Sequence, residues 1–487
     1  MRKSIKYFSI IIFSIIALSS CEKDFLDIKP KGKVIPQSTD DYRKILDLVV
    51  QNNVGLIPTI LRTYGITFYL SDDYQIFDTA SYDALLTTDR YEKYTWAKDG
   101  YLYKEDAEDI DWQAMYAQIY IANSVINGVP DASGPESVKK TLIAEAKVHR
   151  AFCYLALVNI YAKHYSSSAS SDLGVPLRLD ILLTISLERA TVEEVYDQII
   201  KDLEDAAEDL PASQDYNHRP TKAAAYGLLA RTYLYQGNYA EALNYANLCL
   251  DIQDHLYDLN VEMIIDTIND ERYDGTNMFN FENTFTSWMD EEIILHKTTC
   301  TRTSGRSSYH YSYMVTTPEV VENLYDTLND LRFRLKFEKR NEDEYYTAAE
   351  VGNRWSNGYY PVVGVTVPEI LLTRAECNAR LDHYQDAMDD INAIREKRLK
   401  SGAYAPLTAS SREEAVEIVL LERRRELWGR GLRWFDLKRL NAIENANITI
   451  ERSFTGQQLV PGDSHWVMPI ANLYITQNPE IVQNEGY

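Results

Sequence analysis

Apolar residues recur at three- and four-residue steps along much of this chain, the spacing that puts them on one face of an α-helix. Ala144, Val148, Ala151, Phe152, Leu155 and Val158 form one such stripe; Val192, Val195, Ile199, Leu203, Ala206 and Leu210 form another. Thr191 ahead of Glu193 and Glu194 predicts the start of the second helix, because a hydroxyl caps free N–H groups and carboxylates suit the positive end. Leu210-Pro211 predicts its end. Residues 221–251 read as two antiparallel helices. Ala230, Tyr233, Gly237, Tyr239, Ala242 and Leu243 follow the tetratricopeptide spacing, with small residues where helices approach and Gly237-Asn238 in the turn. The pattern returns 145 residues later: Ala375, the turn Asp382-His383-Tyr384, then Ala387 and Met388, with Asn392 aligned to Asn247. A tandem array would put copies about 34 residues apart. The chain between the two hairpins is therefore an insertion.

Two stretches lack this periodicity. The first, about 50–104, carries Thr67 to Tyr74 and many aromatic residues. The second, roughly 254–367, is rich in Tyr, Asn, Asp, Thr and Gly. Glu292 to His296 predicts a short strand, and Arg354 to Val367 another, broken by Gly358, Pro361 and Gly364. Long loops on a rigid scaffold are where binding residues usually sit. The expected fold class is thus mostly α, a tetratricopeptide-like helix-hairpin scaffold with long irregular loops and a few short strands.

The first residues read differently. Arg2, Lys3 and Lys6 precede an apolar run from Tyr7 to Leu18, and Ser19-Ser20-Cys21 follows. The run is too short to cross a hydrocarbon core, which needs roughly 20 residues, and it has the layout of a secretory signal. A small-residue stretch ending in Cys resembles a bacterial lipobox, which implies cleavage before Cys21 and acylation of its thiol and new amine. An ordinary signal peptide with an incidental Cys21 is the alternative. Acyl chains contribute about 0.8 kcal/mol per buried methylene, so a multiply acylated Cys anchors stably. Glu22-Lys23-Asp24 resembles the acidic start that sends lipoproteins to the outer membrane and often to the cell face. The expected organisation is a signal peptide at 1–20, a lipidated tether and extended segment at 21–45, and one helical domain at 46–487 with the insertion at about 254–367.

Composition narrows the partners. A formal net charge of -23 argues against nucleic acid, because binding phosphates needs clustered Lys and Arg. Cys153, Cys249, Cys300 and Cys377 form no CxxC pair and no disulfide framework, and are expected as buried free thiols. No His-Glu-x-x-His, Gly-x-Ser-x-Gly, phosphate loop or dinucleotide fingerprint occurs. The eight His residues give no metal-ligand spacing, and carboxylate pairs suited to a glycosidase arise by chance among 73 acidic residues. No enzyme, metal or cofactor is expected.

The aromatic content points elsewhere. The chain holds 36 Tyr against 13 Phe and 7 Trp, many outside the helical stripes. An exposed ring supports the C–H face of a sugar, and nearby Asp, Asn or Arg groups bond its hydroxyls. Candidate contacts in the first stretch are Tyr74, Phe77, Trp96 and Tyr101, and in the second Trp288, Tyr309, Tyr311 and Tyr313. As a strand, Tyr309-His310-Tyr311-Ser312-Tyr313 puts three rings on one side. Any one ring is more often a packing contact that holds a loop on the scaffold, and one or two of the group are expected to touch ligand. Asp72 and Asp73 read either as hydroxyl recognition at a site edge or as a turn or cap. Arg302 reads as a ligand contact or as balance for nearby acids. Arg423-Arg424-Arg425, interleaved with Glu422, Glu426 and Asp436, reads as structural ion pairing.

Taken in order, several segments resemble the SusD/RagB family of nutrient-binding lipoproteins. They are Asp24-Phe25-Leu26-Asp27; Ser71-Asp72-Asp73; Glu145 to Tyr154; Gly174-Val175-Pro176-Leu177; Arg189 to Tyr196; Pro220 to Ala225; Glu422 to Leu427 leading to Trp434-Phe435-Asp436-Leu437; Met468-Pro469-Ile470; and Gln483 to Tyr487. The likeness spans nearly the whole chain; Glu485 stands where the family usually has Pro. It implies four tetratricopeptide-like helix pairs with a looped ligand-binding face. It also implies a partner, the SusC-type TonB-dependent transporter of the outer membrane, on which the lipoprotein acts as a hinged lid delivering a glycan. The same architecture capturing peptides or another nutrient, a scaffold that binds only protein, and a lipid-anchored glycoside hydrolase are the competing readings.

Overall fold

The computed structural model describes residues 36–47, 62–76, 83, 89–97, 101–182, 184, 186–262, 264–265, 279–280, 290–299, 315–316, 318–341, 344–347 and 362–487. Cys21 and Cys300 lie outside them.

Helices build the scaffold: α1 (Thr39–Leu46), α2 (Ile110–Gly128), α3 (Glu136–Tyr161), α4 (Val192–Asp209), α5 (Lys222–Gln236), α6 (Tyr239–Leu250), α7 (Val367–Arg380), α8 (Tyr384–Arg398), α9 (Arg412–Leu427) and α10 (Arg433–Ile443). Each from α2 to α8 packs on the next in the chain, and α9 packs on α7 and α8. The predicted boundaries have visible causes. Thr191 caps α4 in a capping box with Glu194, and Gly237 closes α5 at φ +73°, a left-handed conformation open to glycine. Asn238 then caps α6 by accepting from the Glu241 N–H. One apolar core runs through the stack, with Ala151, Leu155, Ile199, Leu228, Ala242, Ala375 and Ile391 all buried. Cys153, Cys249 and Cys377 are free thiols inside it.

Helices α6 and α7 are neighbours in space, although 116 residues separate Leu250 from Val367 in the chain. The intervening chain leaves the stack and returns beside itself. Ile293–Leu295 pairs antiparallel with Val365–Thr366, and the Val363 N–H donates to the Lys297 carbonyl at 2.8 Å. Gly364 makes this return possible: a Cβ there would lie 1.8 Å from the Leu295 carbonyl oxygen. Its own carbonyl accepts from Arg231 at 3.0 Å.

Buried ion pairs fasten the insertion to the scaffold. Arg332 donates to Asp330, Glu422 and Glu426, and Arg398 to Glu292 and Glu426. Others join scaffold helices to one another: Arg231 of α5 pairs with Glu369 of α7, and Arg439 of α10 with Glu376 of α7 and with Asp436. Burial alone would push the Glu376 carboxyl up, but Arg439 and Arg380 bring it down to about 2. Removing one partner of such a pair leaves an uncompensated buried charge, which costs about 3–5 kcal/mol.

Candidate functional site

The two irregular stretches meet. Arg62–Thr63 runs parallel to Thr298–Thr299, and the Thr63 hydroxyl donates to the Thr298 carbonyl at 2.9 Å. Beyond this junction the first stretch forms the short helix Thr67–Leu70, then the turn at Asp72 and Asp73. Thr67–Leu70 packs on α10 and on the helix Asp89–Thr95.

Arginines from the far end of the chain hold the turn. The Asp72 carboxylate accepts from Nε and Nη2 of Arg433, both at 2.8 Å, with Arg424 at 3.2 Å. Asp73 Oδ1 accepts from Nε and Nη2 of Arg424 at 3.1 and 3.0 Å. Burial pushes the Asp72 carboxyl up, yet Arg433 and Arg424 outweigh it and hold the group well below the usual carboxylate range. Burial raises Asp73, against Arg424 and with the help of charged Asp72. The side chains keep 22% and 12% exposure, so a solute meets carboxylates already engaged by guanidinium groups. The crevice beside them, lined by Ser71, Asp73, Trp428 and Arg433 among others, has a volume of about 10 Å³, room for one water.

Arg452 is the hub of this region, and sequence reasoning missed it. Fully buried, it donates to the carbonyls of Tyr69, Leu70, Ser71, Tyr74 and Tyr94. Its guanidinium carbon lies 4.2 Å from the Tyr94 ring centroid and 4.3 Å from that of Trp96. Burial lowers its pKa to about 10. No local pattern announces an arginine whose acceptors lie more than 350 positions away.

Of the predicted contacts, Tyr74 and Trp96 are buried in the core. Tyr74 meets Tyr94 edge-on at 5.4 Å. Trp96 adopts φ +52°, a conformation that costs a bulky residue of order 1–3 kcal/mol. The Trp96 ring packs on Arg452 and the Tyr74 ring on Tyr69 and Tyr94, so both serve to pack the first stretch. Tyr101 sits in the turn Tyr101–Tyr103, and its side chain lies outside the described residues, as do Phe77, Trp288, Arg302, Tyr309, Tyr311 and Tyr313. Each arginine of the Arg423–Arg425 run is ion-paired: Arg423 with Asp436, Arg424 with Asp72 and Asp73, Arg425 with Glu422. Among the described residues no cluster of three His, Cys, Asp or Glu is arranged to hold a metal ion, and no helix is long and apolar enough to cross a membrane.

A stack of helix hairpins carrying two irregular stretches that join at one edge defines a helical-repeat scaffold with a looped face. The chain belongs to the SusD/RagB family. Residues 24–234 match the family described as starch-binding associating with outer membrane, and residues 265–487 match the SusD family. SusD-like protein P2 of Formosa agariphila is 25% identical over 422 residues, covering 77% of this chain and 80% of that protein. A solved structure of a putative sugar binding protein from Bacteroides vulgatus superposes with a TM-score of 0.70 at 20% identity, over 93% of this chain and 100% of that one. A SusD superfamily protein from Bacteroides thetaiotaomicron gives 0.70 at 18% identity, over 92% and 99%. These structures share the fold.

Proposed function

We propose that this protein captures a glycan at the outer membrane and delivers it to a SusC-type TonB-dependent transporter, covering that barrel as a lid and tethered by an acylated Cys21. It binds its ligand and carries out no chemistry on it. The observation that carries this reading is the pairing of Arg62–Thr63 with Thr298–Thr299, in a chain whose first half matches a starch-binding family. The pairing ties together the two stretches in which sequence reasoning put the sugar contacts. Phe77, Tyr101, Trp288, Arg302, Tyr309, Tyr311 and Tyr313 are the proposed contacts, with Asp72 and Asp73 at the edge, clamped by Arg424 and Arg433. Stacking on an open face desolvates incompletely, so affinity falls at about mM to µM, roughly -4 to -8 kcal/mol. Affinity electrophoresis of the mature protein through gels containing single polysaccharides tests this. Retardation by at least one glycan is expected; indifference to every glycan, with binding to peptides, would move the ligand class.

A further inference from the structure

A second opening is built from elements other than those around Asp72 and Asp73. The α4–α5 loop (residues 212–217), the segment after α6 (residues 252–255) and residues 290–294 enclose a cleft of about 480 Å³. That volume is in the range of small-molecule sites. Its floor is apolar, from Ile252, Ile293 and Ile294. Tyr216 stands in its wall and is 41% exposed. The ring is held in place by stacking on His218, with centroids 5.5 Å apart, and by Arg219, whose guanidinium carbon lies 5.2 Å from the ring centroid. Arg219 is itself committed to Asp47 through two hydrogen bonds at 2.9 and 2.7 Å.

Four carboxylates line the cleft, among hydroxyls and amide groups such as those of Gln214, Asn217 and Gln253. Asp215, Asp254 and Glu291 rim it and are exposed; the imidazole of His255 reaches Glu291 at 3.5 Å. Asp290 also lines the cleft and is only 2% exposed. Its Oδ1 accepts from the Glu292 N–H at 2.9 Å, while its Oδ2 has no hydrogen-bond partner among the described residues. A buried carboxyl oxygen without a partner costs of order 1–3 kcal/mol, and a small shift of the Asp290 side chain toward the cleft would let a ligand donor offset it. An apolar floor, a fixed ring and a set of carboxylates match a solute with C–H faces and many O–H donors. The same carboxylates repel a ligand that carries acid groups of its own.

We propose that this cleft is a second saccharide-binding site, separate from the face around Asp72 and Asp73, and selective for neutral over acidic glycan segments. The inference rests on the glycan reading above. Two sites on one chain would let a long polymer be held at two points, raising retention by effective concentration without new contacts.

The test begins with the mature full-length protein in gels of starch, xylan, mannan and laminarin, which are neutral, and of alginate and polygalacturonate, which are acidic. Calorimetry follows with an oligosaccharide of whichever glycan retards. Tyr216→Ala is expected to weaken that titration roughly tenfold, or to remove one site from its stoichiometry. Because Tyr216 is exposed, its thermal melt should match that of the unaltered protein. Asp254→Asn with Glu291→Gln is expected to admit the acidic oligosaccharides. If the unaltered protein binds a neutral glycan and both variants titrate identically to it, the second site is overturned and capture stands. If the unaltered protein binds none of these glycans, the glycan reading itself falls.

Discussion

Replacing Arg452 by Ala should release the first irregular stretch from the scaffold. Five carbonyl oxygens, those of Tyr69, Leu70, Ser71, Tyr74 and Tyr94, lose their donor together. At about 1 kcal/mol for each, the loss is about 5 kcal/mol. The ring contacts with Tyr94 and Trp96 add about 1 kcal/mol apiece. Against this, burial already lowers the Arg452 pKa from 12.5 to about 10. Desolvation of the guanidinium thus offsets about 3 kcal/mol of the gain. The net is about 4 kcal/mol, felt locally rather than through the helix stack, because the acceptors fall in residues 69–74 and 94. Hydrogen exchange read by mass spectrometry resolves this. Peptides covering 62–76 and 89–97 should exchange about a thousandfold faster in Arg452→Ala, while peptides of α5 and α6 keep their protection. Arg452→Lys keeps the charge but not the planar fork and should fall between the two. Exchange in both segments within about threefold of the unaltered protein would refute the argument, since it would mean that these carbonyls do not need their donor.

Other perturbations follow from the same geometry. Gly364→Ala drives a methyl group against the Leu295 carbonyl; it should cost about 3 kcal/mol in urea unfolding by splitting Ile293–Leu295 from Val365–Thr366, and an unchanged midpoint would contradict the close approach. Asp290 is raised from 3.8 to about 7, first by burial and then by the charge of Glu292, with Arg430 opposing. The folded carboxyl therefore keeps its proton longer than the unfolded one, so its contribution to stability falls as pH rises from about 4 to about 7, by up to about 4 kcal/mol. Asp290→Asn should gain on the unaltered protein over that window and hold the gain above it; a stability difference that does not vary between pH 4 and pH 8 would refute the assignment.

How much was legible depended on sequence distance. Local rules worked where the interaction partners are local. Thr191 with Glu194, Gly237 with Asn238, and the apolar run after Glu292 each act through neighbours within a few residues, and each forms the predicted cap, turn or strand. In the Arg423–Arg425 run, Arg423 and Arg425 were readable as ion pairing because their acids, Asp436 and Glu422, lie close by. The site was less legible for the opposite reason. Asp72 and Asp73 look alike in sequence whether they meet a sugar or an arginine, and their partners Arg424 and Arg433 come some 350 positions later. Tyr74 and Trp96 looked like loop rings free to stack, because nothing nearby reveals that Arg452 arrives from the C-terminal region to bury them. Ring count predicts a sticky surface only after the rings used for packing are subtracted, and that subtraction needs the fold.

The most direct test of the central claim is a titration of the mature protein with the glycan that retards it, set beside Trp288→Ala and the triple substitution of Tyr309, Tyr311 and Tyr313 to Ala. The account predicts a measurable isotherm for the unaltered protein and at least about tenfold weaker binding in both variants, consistent with the loss of stacking rings. Unaltered isotherms in both variants would contradict it.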